Sequence, residues 1–289
     1  MRRASCALLV LLGACSSGDT QPAAPPEDQA LARHEQAGRI AYDLDRPDEA
    51  VAQFEAALTQ AQARDDLQAI ADLSFNLAVT QLRANRPQDA LTTTQRARAE
   101  LVRRGRQPFP ALLLAEATAL YRLEQRDQAD AVAAEVETAG DADAAAGASF
   151  LRGLIADEAG DEAGLRAATD RLSGVSVPLR LADRLELQAR LGVRQGDLAR
   201  ARSAAMQAAG IRQEGLDYRG MARALAVAAL AAERAGEHEP AADLYLRAGR
   251  SAAAQSDADT ARPWLERALR LTSDDATEQA AEAALAGLP

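Results

Sequence analysis

The chain of 289 residues reads as all-α, an α-α superhelix of about six or seven helical hairpins stacked side by side. Three observations predict it. Hydrophobic residues make up 48% of the chain but aromatics only 3%, so the apolar share is mostly Ala and Leu, a helix-forming composition. A marker residue recurs as Ala50, Ala90, Ala129, Leu165, Ala201 and Ala241, at steps of 40, 39, 36, 36 and 40, inside the range of solenoid repeats. Each marker follows a turn between two amphipathic runs: Arg46-Pro47-Asp48, Asn85-Arg86-Pro87, Gln125-Arg126-Asp127, Gly160-Asp161, Gln195-Gly196-Asp197 and Gly236-Glu237-His238.

The stretch from Leu31 to Ala57 shows the logic of one hairpin. Gly38 in the first helix has no side chain, so a partner helix can approach closely. The second helix sets small Ala50, large Phe54 and small Ala57 on one stripe at i, i+4 and i+7. A single hairpin cannot bury that stripe and must stack on copies of itself. The array is expected over residues 29–271. Between its fourth and fifth repeats, Ser173 to Pro178 is the least helical stretch and reads as an inter-repeat loop. The last step breaks the rhythm, because Ala261, Leu265 and Ala268 repeat the second-helix stripe only 20 residues after Ala241. That is one helix and not a hairpin, so Glu239 to Gln255 must serve two repeats. Residues 272–289 read as a capping helix, with an N-cap and acidic first turn at Ser273-Asp274-Asp275, a stop at Gly287 and Pro289, and a polar outer face of Glu278, Gln279 and Glu282.

Residues 1–14 read as a leader, with a basic start at Arg2-Arg3 and an apolar run from Ala4 to Leu12 that is too short to span a bilayer. The closing Leu12-Gly13-Ala14-Cys15 resembles the lipobox of bacterial lipoproteins, which implies cleavage before Cys15 and its diacylation. An ordinary secretory cleavage after Ala14 wants a small residue where Leu12 stands. On the same resemblance, Ser16 and Ser17 in place of an Asp imply the outer membrane, with the domain on its periplasmic face. Residues 15–28, rich in Pro, Gln and Asp, read as a lipidated disordered tether with a reach of up to roughly 40 Å. Cys6 leaves with the leader and Cys15 is blocked by lipid, so no disulfide is expected.

Charge and motifs exclude several classes of function. Every basic residue is Arg, which excludes lysine-dependent chemistry such as a Schiff base or a P-loop. A net charge of −10 argues against a nucleic-acid partner and a polybasic membrane patch, leaves the lipid as the only membrane contact, and favours basic partners. His34-Glu35 and His238-Glu239 invite a zinc-protease reading, but Gly38 and Ala242 stand where the second His is needed, and Pro240 is expected to disrupt the helix. His34 reads as a partly buried helix residue and His238 as a turn residue. Asp43, Asp45, Asp48 and Glu49 lack the central Gly of a calcium loop and have Phe54 at its Glu position, so they read as turn solvation and helix capping, as do Asp141 with Asp143 and Asp257 with Asp259. No catalytic residue, metal or cofactor is expected, and the chain is not expected to be an enzyme.

The repeat itself resembles the tetratricopeptide family, whose pattern sets Leu-Gly and an aromatic in the first helix and Ala-x3-Phe in the second. Ala50 with Phe54, Ala241 with Tyr245, and the glycines Gly38 and Gly153 match it. The likeness covers roughly residues 29–271. His34 and Ser74 stand at the family's Trp, its later Pro is missing, Leu165 and Ala205 depart from the Ala and Phe places, and the steps exceed the usual period of about 34. The resemblance implies a concave face lined by first helices that binds a polypeptide. Its exposed positions fall on Arg39, Tyr42, Phe75, Asn76, Val79, Arg83, Leu114, Thr118, Tyr121, Arg122, Arg190 and Arg194. Phe75 and Leu114 serve equally as packing between helices. The family's lysine-and-asparagine clamp for carboxylates cannot exist intact without Lys. The implied function is a non-catalytic adaptor or assembly factor; the alternative is a self-associating scaffold of the cell envelope, against which the polar final helix argues.

Overall fold

The computed structural model describes residues 28–174 and 177–289. The leader expected over 1–14, the lipidation at Cys15 and the tether up to residue 27 lie outside the described residues. Asp28, the last residue assigned to that tether, caps the first helix by accepting from the Ala30 and Leu31 N–H groups. Among the described residues there are fourteen α-helices and no strand: α1 (Gln29–Asp43), α2 (Pro47–Ala63), α3 (Leu67–Arg83), α4 (Pro87–Arg103), α5 (Pro110–Arg122), α6 (Arg126–Glu137), α7 (Ala142–Glu158), α8 (Glu162–Arg171), α9 (Pro178–Gln195), α10 (Leu198–Glu214), α11 (Tyr218–Arg234), α12 (His238–Ala254), α13 (Ala258–Leu271) and α14 (Asp275–Ala286). None of them is long and apolar enough to cross a membrane.

Each helix packs on the next. The odd-numbered helices α3, α5, α7, α9 and α11 also touch one another in series, whereas α2 and α4 stand apart over a cleft of about 800 Å³ floored by α3. The odd helices are therefore the compressed, inner layer of the curve. This packing is the α-α superhelix the repeat predicts.

Two positions recur around every marker. Twelve residues before it a small residue is buried: Gly38, Ala78, Ala117, Gly153, Ala189 and Ala229. Five residues before it the chain turns through a left-handed residue: Asp45, Asn85, Glu124, Gly160, Gly196 and Gly236. Ala261 extends both rules, with Gly249 buried in α12 and Ser256 at φ 56°. A methyl group on Gly38 would lie 2.9 Å from the Phe54 ring, and one on Gly249 only 2.6 Å from the Leu265 side chain. Helix α12 thus plays both parts. As a second helix it carries Ala241, Tyr245 and Ala248, with the Tyr245 hydroxyl 3.1 Å from Glu233 of α11; as a first helix it presents Gly249 to α13. Consistently, α14 touches α12 across the layer, as the odd helices touch one another before it.

Two expectations need correction. Pro240 does not interrupt α12, because it lies in the first turn, where the backbone N–H has no intrahelical partner to lose. Asp45 and Asp48 are not caps: Arg46 holds the N-cap position of α2 without a side-chain bond, while Asp45 pairs with Arg83 at 2.9 Å and Asp48 with Arg86 at 2.7 Å, each one repeat on. Asp141 and Asp257 do cap, on α7 and α13. Asp143 instead accepts from Arg180 at 2.8 Å.

Candidate functional site

The inner layer is built from the ends of the odd helices, where one arrangement repeats. Seven residues before the marker, Arg122, Arg194 and Arg234 each donate to a carbonyl in the preceding odd helix: Leu82 O, Asp157 O and Val193 O respectively. These are carbonyls of a last helical turn, which favours a cation; Leu82 O and Asp157 O also accept from the turn N–H groups of Asn85 and Gly160. Arg83 holds the same place in its repeat, paired with Asp45 and stacked 4.5 Å over the Tyr42 ring. The guanidinium groups expected on the concave face thus reach first to the neighbouring repeat.

The other expected residues divide. Arg39 is exposed, with Glu35 beside it on the same helix. Phe75 packs edge-on against Phe109 at 5.8 Å, and Asn76 and Val79 are half-buried beside it in α3. Leu114 lies over Gly147 of α7, and the Thr118 hydroxyl turns back to the Leu114 carbonyl at 2.8 Å. Tyr121 donates its hydroxyl to Glu158 and carries Arg126 stacked 4.5 Å over its ring. Burial, then the Glu158 hydrogen bond and charge, push the Tyr121 phenol up to about 12.

Arg190 and Arg194 do come together. With Asp157, Glu162, Val193, Val227, Leu230 and Arg234 they line a cavity of about 350 Å³ across α7, α9 and α11. Arg190 and Arg194 hold opposite oxygens of Asp157, at 2.8 and 2.6 Å. Val193, Val227 and Leu230 give the cavity an apolar side, and Arg234 adds a cation with no carboxylate partner among the described residues.

Below this cavity lies an ionic core. Glu186 is fully buried and receives Arg223 at 2.6 Å, Arg190 at 3.1 Å and Arg212 at 3.1 Å, while Asp183, 2% exposed, receives Arg212 at 2.7 Å and Arg180 at 3.0 Å. Arg212 and Arg223 both lie against the Phe150 ring, at 5.3 and 5.2 Å. Burial works to raise Glu186, but Arg223, Arg190 and Arg212 outweigh it and hold the carboxyl down at about 2. For Asp183 burial wins and its carboxyl is raised, against Arg212 and Arg180. Apart from Arg190, the sequence reading missed this cluster, and it missed Arg234. Its available signal was charge out of place: Asp183 and Glu186 stand beside Ala182 and Leu187, on the face that should be apolar.

His34 sits half-buried with Nδ1 2.8 Å from Gln53 Oε1, and His238 is exposed at the first residue of α12. Among the described residues no group of three His, Cys, Asp or Glu is placed to hold a metal.

No protein-family model matches the chain, and no curated protein matches it by sequence. Among solved structures it is similar to a tetratricopeptide repeat protein from Parabacteroides merdae, at 16% identity and a TM-score of 0.49 over 90% of this chain and 99% of that one. It is also similar to the TPR2AB domain of yeast Sti1 in its pHSP90 complex, at 15% identity and a TM-score of 0.33 over 87% and 98%, and to a TPR repeats protein from Bacteroides fragilis, at 13% identity and 0.32 over 89% and 98%. What places this chain among the α-α superhelices is its own packing, fourteen helices in consecutive hairpins with one inner layer.

Proposed function

We propose that this chain is a non-catalytic adaptor or assembly factor that binds a polypeptide along its inner layer, and that lipid on Cys15 holds it on the periplasmic face of the outer membrane. The observation that carries the binding reading is the cavity across α7, α9 and α11, where Val193, Val227 and Leu230 lie beside Arg190, Arg194 and Arg234. Its volume of about 350 Å³ suits one or two side chains of a partner and not a whole cofactor. An apolar group seated on Leu230 loses water contact, while the guanidinium groups beside it donate charge-assisted bonds to backbone carbonyls or carboxylates of the segment that carries it. The anchoring reading rests on Leu12-Gly13-Ala14-Cys15 behind its apolar run.

The test is affinity capture of the full-length tagged protein from an envelope fraction, comparing the native chain with Leu230→Asp. One envelope protein captured by the native chain and lost from the variant, with helicity unchanged, supports the reading. Equal capture by both removes the cavity from the account. Fractionation of Cys15→Ala tests the anchor: release from the membrane into the soluble periplasmic fraction is expected, and unchanged membrane association would contradict it.

A further inference from the structure

The superhelix closes on itself at one seam. Asn85, in the turn before α4, donates its Nδ2 to the Ser256 carbonyl in the turn before α13 at 2.8 Å, although the two are 171 residues apart. On one side of this contact Arg122 of α5 reaches Asn85 Oδ1 and the Leu82 carbonyl. On the other, Arg219 of α11 pairs with Asp257, the residue after Ser256. Two guanidinium groups from opposite parts of the array are thus joined through one short chain of contacts.

The charges there do not balance. In two other repeats the staple has a carboxylate, Asp45 for Arg83 and Asp157 for Arg194, whereas Arg234, like Arg122, has none among the described residues. Arg122 has only neutral oxygens among the described residues, because Asn85 stands where the first repeat has Asp45. Asp257 is engaged by Arg219, whose Nη2 is nevertheless buried without a hydrogen-bond partner among the described residues. Arg223, close by, is committed to Glu186 through two bonds. Burial, then the Arg219 charge, push Arg122 down to about 10, with Asp257 working against them and Arg223 adding to them. A half-buried cation with no carboxylate and an orphaned buried N–H in one place are costly unless an anion supplies what is missing.

We infer that Arg122 and Arg219 form an oxyanion site at this seam, taking one carboxylate, phosphate or sulfate group between the α5 and α11 ends. Guanidinium forks match such groups with paired bonds, and Arg219 keeps 26% of its side-chain surface, which gives a small ion access. The site is separate from the cavity across α7, α9 and α11 and needs no polypeptide partner. It reverses, locally, the preference that a net charge of −10 implies for basic partners. A bound anion ties the third hairpin to the sixth, so it stabilises the closed superhelix in proportion to its occupancy.

The experiment is thermal unfolding and calorimetric titration of the full chain at low ionic strength, with inorganic phosphate in one arm and N-acetyl-aspartate amide in the other, each against chloride of equal ionic strength. Phosphate is expected to raise the midpoint and bind at a single site, and Arg122→Gln or Arg219→Gln to weaken binding about tenfold or more, as loss of a charged hydrogen bond implies. Arg39→Gln should leave binding unchanged. Since the glutamine variants remove a structural staple as well, Asn85→Asp is the decisive companion. It places a carboxylate beside Arg122 at the cost of the amide bond to the Ser256 carbonyl, so the readout is the phosphate response, which it should abolish, and not the unliganded midpoint. Binding of both probes would make an acidic side chain a source of the anion, and binding of phosphate alone would make it a free ion. No response of the native chain to either probe beyond chloride, or a full phosphate response in Asn85→Asp, overturns the inference.

Discussion

Glu186 is the residue on which single-site reasoning bears hardest. It is fully buried among three arginines, so Glu186→Gln strips Arg223 of its carboxylate and takes the shared anion from Arg190 and Arg212, which keep Asp157 and Asp183. Removing one partner of a buried ionic group costs about 3 to 5 kcal/mol, and denaturant unfolding at neutral pH should show a loss of that size. The sign with pH follows from the folded value of about 2, below the ordinary carboxylate range. The stabilisation is fully present above about pH 4.5 and is lost as pH falls toward 2, so the gap between native and Glu186→Gln proteins should narrow over that window. Gly249 gives a second prediction. A methyl group there meets Leu265 at 2.6 Å, so Gly249→Ala should cost about 1 to 3 kcal/mol, whereas helix propensity alone would favour Ala. Neither residue was legible as such in the sequence. In a chain whose only base is Arg, nothing local separates an arginine that staples two repeats from one on a solvated face. Apart from Arg190 four residues on, the arginines that meet Glu186 lie 26 and 37 residues away.

At the scale of elements the sequence was more informative, and for a physical reason. A stripe such as Ala50, Phe54 and Ala57 is set by helix periodicity and recurs with the repeat, so the second helices and their turns were readable. The double role of α12 was readable too, from the 20-residue step to Ala261. The first-helix register was readable only at Gly38 and Gly153 and stayed hidden in the other repeats. Its small residue alternates between Gly and Ala, and the left-handed turn residue is Asp, Asn, Glu, Ser or Gly, so no one residue type marks it. The concave face was read least well, because Phe75, expected exposed on one reading, takes the packing role against Phe109 that the other reading allowed. Phe75→Ala should therefore lower stability by about 2 to 3 kcal/mol in chemical unfolding, and a stability change near zero would return it to the surface. Leu216, in the turn before α11, holds φ 57° and is 53% exposed. Asn enters the left-handed region more readily than Leu, through the local hydrogen bonds of its short polar side chain, and little packing depends on Leu216, so Leu216→Asn should raise stability by up to about 1 kcal/mol, read from the thermal midpoint.

For the whole molecule, the seam between Asn85 and Ser256 and the spread of α2 from α4 describe one curvature, tight inside and open outside. That geometry offers two surfaces to a partner. The inner one is the cavity beside Leu230; the outer one is the cleft lined by Thr59, Ser74 and Thr93. The outer cleft is the larger and about as apolar as it is polar, with Arg104 and Asp65 already paired; what favours capture at the inner cavity is Arg234, a cation with no carboxylate partner among the described residues, beside Val193, Val227 and Leu230. The capping helix α14 keeps Glu278, Gln279 and Glu282 exposed, and sedimentation is expected to find a monomer rather than end-to-end stacks.

The most direct test of the central claim is site-specific photo-crosslinking in cells, with a photoreactive residue placed at Leu230 in one strain and at Thr59 in another. The account predicts a discrete polypeptide adduct from Leu230 that is lost when Cys15→Ala displaces the protein, and none from Thr59. Adducts from Thr59 alone would put the partner on the outer face and contradict it.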